Sequence, residues 1–172
     1  VFPPKLSYFQ SIYLDLERKI GLEFGGPSAK FSKRGLVPIY NIAGRIDNIN
    51  FSDFTTFEGQ IEAGDTFFFH PKKKPGQQYI VEARDLSFLG DDTYDFLVSS
   101  HCIEHIANPL LALEEWVRVI REAGLMILII PHKDGTFDRN RPITEWDHLL
   151  EDYQQGTGED DQTHLEEILQ LH

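Results

Sequence analysis

The sequence has 172 residues, 41% of them hydrophobic, which is the size of one domain with enough apolar material for a packed core. Its formal net charge at pH 7 is −12, and no Lys or Arg follows Arg141 while Glu145, Asp147, Glu151, Asp152, Glu159, Asp160, Asp161, Glu166 and Glu167 do; such a surface repels phosphate backbones and argues against a nucleic-acid partner. The single cysteine, Cys102, excludes an internal disulfide framework and fits a cytoplasmic compartment.

No membrane segment is legible, because the longest apolar run, Leu125 to Ile130, is far short of the roughly 20 residues that span a bilayer. The first residues do not read as a secretory signal.

From Ser7 to Lys19, Tyr8, Phe9, Ile12, Tyr13, Leu14 and Leu16 recur at helical spacing behind Ser7 as N-cap, which predicts a helix. Ile20 to Phe24 reads as a buried strand ending in the turn Gly25-Gly26-Pro27-Ser28. "GRIDNINF", Gly44 to Phe51, is a second strand. Residues 52–77 read as mostly irregular, broken by Gly59, Gly64, Gly76, Pro71 and Pro75, with Lys72 to Lys74 in a solvated turn.

Gln78 to Ala83 and Tyr94 to Ser100 are rich in β-branched and aromatic residues and predict two further strands. Asn108 and Pro109 open a helix as N-cap and first residue; Leu110, Leu113, Val117 and Ile120, with Trp116 beside them, share one face, and Gly124 ends it. Leu125 to Ile130 has no alternation and reads as a central strand covered on both faces, which makes strand, helix and strand a right-handed parallel unit. The acidic region from Thr144 onward closes in an amphipathic stretch at Leu165, Ile168, Leu169 and Leu171. The expected organisation is one domain over 1–172: an N-terminal helix region (1–19), a core (20–138) and an acidic C-terminal loop and helix region (139–172).

In an open parallel sheet, ligands bind outside the carboxyl ends of the strands where the strand order reverses. After the first strand stand Glu23, Gly25 and Gly26, where a missing Cβ lets a ligand approach the backbone. After the second, Asp47 or Asn48 suits a ribose diol; after the third, "EARDLSF" sets Glu82 and Asp85 beside Leu86, an acceptor and an apolar cover for adenine. The three together make an adenosine-sized site, and without G-x-G-x-x-G a dinucleotide pyrophosphate is poorly provided for.

"SSHCIEHIANP", Ser99 to Pro109, also holds His101, Glu104 and His105 in the H-x-x-E-H order of one class of zinc peptidase. A strand ending at Ser100 and a helix capped at Asn108 leave space for one short turn between them, so a zinc-dependent hydrolase is the lesser alternative.

Around these residues the sequence resembles the class I S-adenosylmethionine-dependent methyltransferases, in particular the small-molecule branch with an "LExGGPS" first motif. The matching stretches are "GLEFGGPSAKF", "RIDNINF" and the nearly continuous Val81 to Asp138. Pro27 and Ser28 stand where many members have another glycine, and Glu82 where aspartate is commoner.

The resemblance implies a Rossmann-like, doubly wound, mostly parallel sheet flanked by helices, with S-adenosyl-L-methionine as cofactor and methyl transfer to a small-molecule or sugar-type acceptor. It makes Glu23, Gly25, Gly26, Pro27 and Ser28 the turn around the methionine part, Asp47 the ribose ligand, Glu82 and Ala83 the adenine edge, and Ser100 with His101 the methionine side. No metal is implied. Where a proton must leave the acceptor, His132 just past the fifth strand is the preferred general base; His105, Asp134 and Asp138, with Arg139 and Arg141, are candidates for holding the acceptor.

The chain ends where the family's last two, antiparallel, strands would begin. This implies an exposed sheet edge covered by further chain or by a partner, a second copy included. A scaffold protein with a degenerate methyltransferase fold is the remaining alternative.

Overall fold

The computed structural model describes residues 15–55 and 59–171. Residues 7–14 of the expected N-terminal helix lie outside the described residues.

Among the described residues eight strands form: β1 (Ile20–Phe24), β2 (Arg45–Asn50), β3 (Phe54–Thr55), β4 (Gly59–Gln60), β5 (Gly64–Phe67), β6 (Gly76–Ile80), β7 (Tyr94–Ser100) and β8 (Ile120–Ile129). Six of them build one sheet in the order β5-β6-β2-β1-β7-β8, and β3 and β4 make a separate hairpin. Every pairing in the large sheet is parallel except β5 with β6. The chain runs outward from β1 through β2 to β6, then returns to the other side of β1 as β7 and β8. The order therefore reverses between β1 and β7, and the crevice there lies at the carboxyl ends of the strands.

The two sheet faces bury different clusters, as alternate side chains must. On one face Leu22, Phe24, Ile49 and Leu97 pack against α1 (Pro109–Val119). Asn108 caps α1 by accepting the Leu111 N–H at 3.1 Å, and Pro109 occupies the first turn, where no N–H is needed. Trp116 fastens the helix to the sheet: fully buried, it stacks on Phe24 with ring centroids 4.2 Å apart and donates its Nε1–H to the Ala83 carbonyl at 2.8 Å. Arg118 on the same helix holds the preceding loop through the carbonyls of Leu86 and Leu89 and the carboxylate of Asp91.

The opposite face is covered differently. Ile46, Phe96 and Val98 pack against Phe31, Ile39 and Tyr40, from two 3-10 turns at Ala29–Phe31 and Ile39–Asn41, and against Phe67 and Phe69. Among the described residues α1 is the one α-helix that links two strands; α2 (Trp146–Gln155) and α3 (Leu165–Leu171) follow the last strand.

Three expectations shift. The strand β5 lies within the stretch read as irregular, where Gly64 and Asp65 weaken the strand signal. The helix ends at Val119 instead of Gly124: Ile120 already pairs with Tyr94, and a register shift before the Phe96 and Leu125 pair absorbs the intervening residues. Gly124 marks that bulge, since a Cβ there would stand 2.9 Å from the Asp95 carbonyl of the neighbouring strand. Finally, the unalternating run read as a central strand lies in β8, an edge strand of the sheet among the described residues. No helix among the described residues is long and apolar enough to cross a membrane.

Candidate functional site

The turn after β1 is built from beneath. Glu23 is fully buried, and its carboxylate oxygens accept the Tyr40 hydroxyl, at 2.8 and 2.7 Å, and the Ser28 N–H, at 3.0 Å. Asn48, fully buried on β2, clasps the same turn: its Oδ1 accepts the Gly26 N–H at 3.0 Å and its Nδ2 donates to the Gly26 carbonyl at 3.2 Å. A Cβ on Gly26 would sit 2.4 Å from the Glu23 carboxyl carbon, so glycine is what lets the turn lie flat on its support. Glu23 thus holds the turn from below, while the exposed Gly25 and Pro27 form its upper surface.

Asp47 is placed differently from its expected position at the mouth of β2. It is the third residue of that strand, opposite Leu22, and its carboxylate is filled: Oδ1 accepts from Arg45 Nε and from the Gln77 N–H, both at 2.7 Å, and Oδ2 accepts the Tyr94 hydroxyl at 3.0 Å. Burial, with the Asp47 charge beside it, drives the Tyr94 hydroxyl far above its ordinary range, so this is a tyrosine locked as a donor. The hydrogen bond to Asp47 likewise raises the Arg45 guanidinium. The residue at the carboxyl end of β2 is Asn50, whose Nδ2 lies 3.4 Å from the Gly26 carbonyl. Asn50 therefore stands at the mouth of β2, where Asp47 was expected.

Past β6, Glu82 accepts Arg84 Nε at 2.8 Å, and Arg84 also reaches the Gly156 carbonyl. The Ala83 carbonyl is occupied by Trp116. Asp85 accepts the Ser87 hydroxyl at 2.8 Å, which lowers its carboxyl, and Leu86 is fully buried.

At the exit of β7, Ser100 Oγ and His101 Nδ1 are 3.0 Å apart. His101 has φ of +55°, a left-handed conformation that a non-glycine residue adopts at a cost, and its N–H donates to the Ile129 carbonyl at 2.9 Å. Next to it Cys102 abuts the first turn, with its Sγ 3.6 Å from where a Gly25 Cβ would be. Burial pushes the Cys102 thiol up to about 11. Residues 103–105 form a 3-10 turn, so His101 and His105 do not occupy successive turns of one helix as the zinc-peptidase geometry requires. Among the described residues no three His, Cys, Asp or Glu side chains converge as metal ligands.

Two cavities flank this crevice. The smaller, about 370 Å³, opens over Gly26, Pro27 and Asn50 and is walled by Gln60, Thr66 and Phe68. The larger, about 660 Å³, lies between the 103–107 turn and the C-terminal helices. It brings together His105 and Asp138, which sequence reasoning named, with His148 and His164, which it missed. His132 and Asp134 line neither cavity; both side chains are 83% exposed, and His132 Nδ1 accepts the Asp134 N–H as a local cap. His132 therefore stands in solvent, outside both cavities. Arg141 lines the larger cavity and Arg139 neither.

Residues 68–128 match the family model described as a methyltransferase domain. No curated protein matches the chain. Among solved structures, the chain is similar to a complex from Haloferax volcanii between the Trm112 methyltransferase activator and a protein described as a methyltransferase (16% identity, 67% of this chain, 48% of that one, TM-score 0.46). It is also similar to a Galdieria sulphuraria protein described as a sarcosine dimethylglycine methyltransferase (16% identity, 72% and 43%, TM-score 0.46). A third is an Anabaena variabilis protein described as a methyltransferase from an antibiotic biosynthesis pathway (14% identity, 83% and 54%, TM-score 0.48). The chain spans about half the length of these structures.

A mainly parallel sheet whose order reverses at β1, with a glycine turn at that point, is the Rossmann-like arrangement. The segment that matches the methyltransferase-domain model, residues 68–128, spans β6, β7, α1 and most of β8 of this sheet.

Proposed function

We propose that the chain transfers a methyl group from S-adenosyl-L-methionine to a small-molecule acceptor. The observation that carries this is the Gly25–Ser28 turn, held flat by Glu23, Tyr40 and Asn48 at the reversal point and in contact with Cys102 at the exit of β7.

The residues present fit a nucleoside sulfonium. The turn leaves its backbone open to the amino-acid end, Asn50 at the end of β2 offers an amide to the ribose, and Glu82 after β6 offers a carboxylate to the adenine amino group. When bound, the cofactor supplies an electrophilic methyl with a neutral leaving group. The protein's task is then to hold the acceptor in line with that methyl and to exclude water, for which no dedicated catalytic residue is required. The larger cavity, joined to the cofactor turn through the Cys102–His105 segment, is the acceptor side. The single cysteine, Cys102, which can form no internal disulfide, fits a cytoplasmic location.

Photolysis of the protein with methyl-labelled S-adenosylmethionine, followed by peptide mapping, tests the placement. Label is expected within 24–28, 50–53 or 99–104; label confined to other segments overturns it.

A further inference from the structure

We propose that the larger cavity takes an amine, bound as its ammonium ion, as the methyl acceptor, with the His148–His164 pair receiving its proton; this rests on the methyl-transfer reading above. The cavity has two unlike walls. Ile103, Ile106, Leu149, Leu165 and Ile168 make one apolar, able to cover a hydrocarbon body. The other carries five carboxylates, from Glu104, Asp138, Asp152, Glu159 and Asp161.

Among the described residues the one permanent cation on that lining is Arg141. Its charge is already answered by Glu167, 2.8 Å from Nε, and Asp138, 3.3 Å from Nη1. A carboxylate or phosphate acceptor would meet uncompensated negative charge there, whereas an ammonium ion would be drawn in. A neutral sugar could donate hydrogen bonds to those carboxylates but would gain no charge attraction from them.

The histidines supply the second requirement. His148 Nε2 and His164 Nε2 are 2.9 Å apart, a contact that can be a hydrogen bond only when one ring is neutral and offers a lone pair. A proton arriving on the pair is met by Asp152, 3.3 Å from His148 Nε2, and by Glu167, 3.7 Å from His164 Nδ1. The ammonium gives one proton to the neutral imidazole, which frees the nitrogen lone pair. The new N–CH3 bond then forms as the S–CH3 bond breaks, its electron pair staying on sulfur as a neutral thioether. The methylated ammonium leaves, and the imidazolium returns its proton to solvent.

Calorimetry with three probes of one skeleton, 3-phenylpropylamine, 3-phenylpropanol and 3-phenylpropionate, on protein pre-mixed with S-adenosylhomocysteine tests the charge class. The amine is expected to bind at least about 10-fold more tightly than the alcohol, with an advantage that shrinks at high salt and in Glu104→Gln, and the propionate is expected not to bind. In 15N-histidine spectra the amine should move the His148 and His164 imidazole signals, assigned by their loss in His148→Gln and His164→Gln.

Equal affinity for amine and alcohol, tighter propionate, unmoved imidazole signals, or no probe binding while S-adenosylhomocysteine binds would each overturn the amine assignment and leave the methyl-transfer reading standing. Failure of S-adenosylhomocysteine itself to bind would overturn that reading instead.

Discussion

Tyr40 and Glu23 lie 17 residues apart in the chain and meet beneath the Gly25–Ser28 turn, the tyrosine hydroxyl within 2.8 Å of both carboxylate oxygens and itself accepting the Ser28 N–H at 2.7 Å. A buried carboxylate must be satisfied by donors, and here the donors are the groups that set the turn. Tyr40→Phe should therefore destabilise the fold by about 1–3 kcal/mol, the cost of orphaning a buried acceptor. Urea titration reads this as a lower midpoint at unchanged slope; an unchanged midpoint would mean that water or a rearranged Ser28 replaces the hydroxyl.

Gly26→Ala places a Cβ 2.4 Å from the Glu23 carboxyl carbon, and neither the strand nor the carboxylate has space to retreat. Overpacking of this kind costs about 1–3 kcal/mol. Because the displaced backbone is the turn proposed to hold the cofactor, affinity for S-adenosylhomocysteine should fall more than stability does. Fluorescence titration beside thermal melting separates the two effects.

Asp47 and Asn50, three residues apart on β2, should respond in opposite ways. Asp47→Ala strips partners from Arg45, the Gln77 N–H and the buried Tyr94 hydroxyl, a loss of about 2–4 kcal/mol of stability. Asn50→Ala loses one long contact, to the Gly26 carbonyl, and should cost about 1 kcal/mol of stability or less while weakening cofactor binding by about 1–2 kcal/mol. If Asp47→Ala kept full stability and lost only binding, the proposed ribose contact would lie at Asp47 instead of Asn50.

The assignment at Asp47 shows where reading the sequence stops. The β7, α1 and β8 succession was legible because its signals are local, a turn before Tyr94 and the Asn108 and Pro109 cap; the helix face was not, since Ala112, Trp116 and Val119 are buried while Val117 is exposed. The strand β2 was legible too, but its depth relative to β1 depends on register, which pairs Asp47 with Leu22 and sets Asn50 beyond it. No local pattern marks Tyr40 as a partner of Glu23, nor His148 as a neighbour of His164 across 16 residues. The edge position of β8 was hidden for a similar reason, since an unalternating apolar run looks the same in the middle of a sheet as at its border when α1 and the loops cover it.

Cys102 gives a pH-dependent prediction. Its thiol is raised from an ordinary 9.0 to about 11, chiefly by burial, so the folded chain disfavours the thiolate. Stability from this group is complete below about pH 9 and is lost as pH rises through about 11, by roughly 3 kcal/mol once both states are ionised. The drop in urea midpoint over that interval should be smaller in Cys102→Ala. At pH 8 iodoacetamide should alkylate the native thiol on the order of 100-fold more slowly than a free cysteine. Alkylation at the free rate would place the thiol outside its packed position beside Gly25.

The account depends most on a nucleoside sulfonium binding where β1, β2 and β7 end. Titrating S-adenosylhomocysteine into the protein and into Asn50→Ala by calorimetry tests this most directly. A 1:1 isotherm with micromolar affinity, weakened roughly 10-fold in the variant, is the predicted result; an absence of binding, or equal binding by a correctly folded Asn50→Ala, would contradict it.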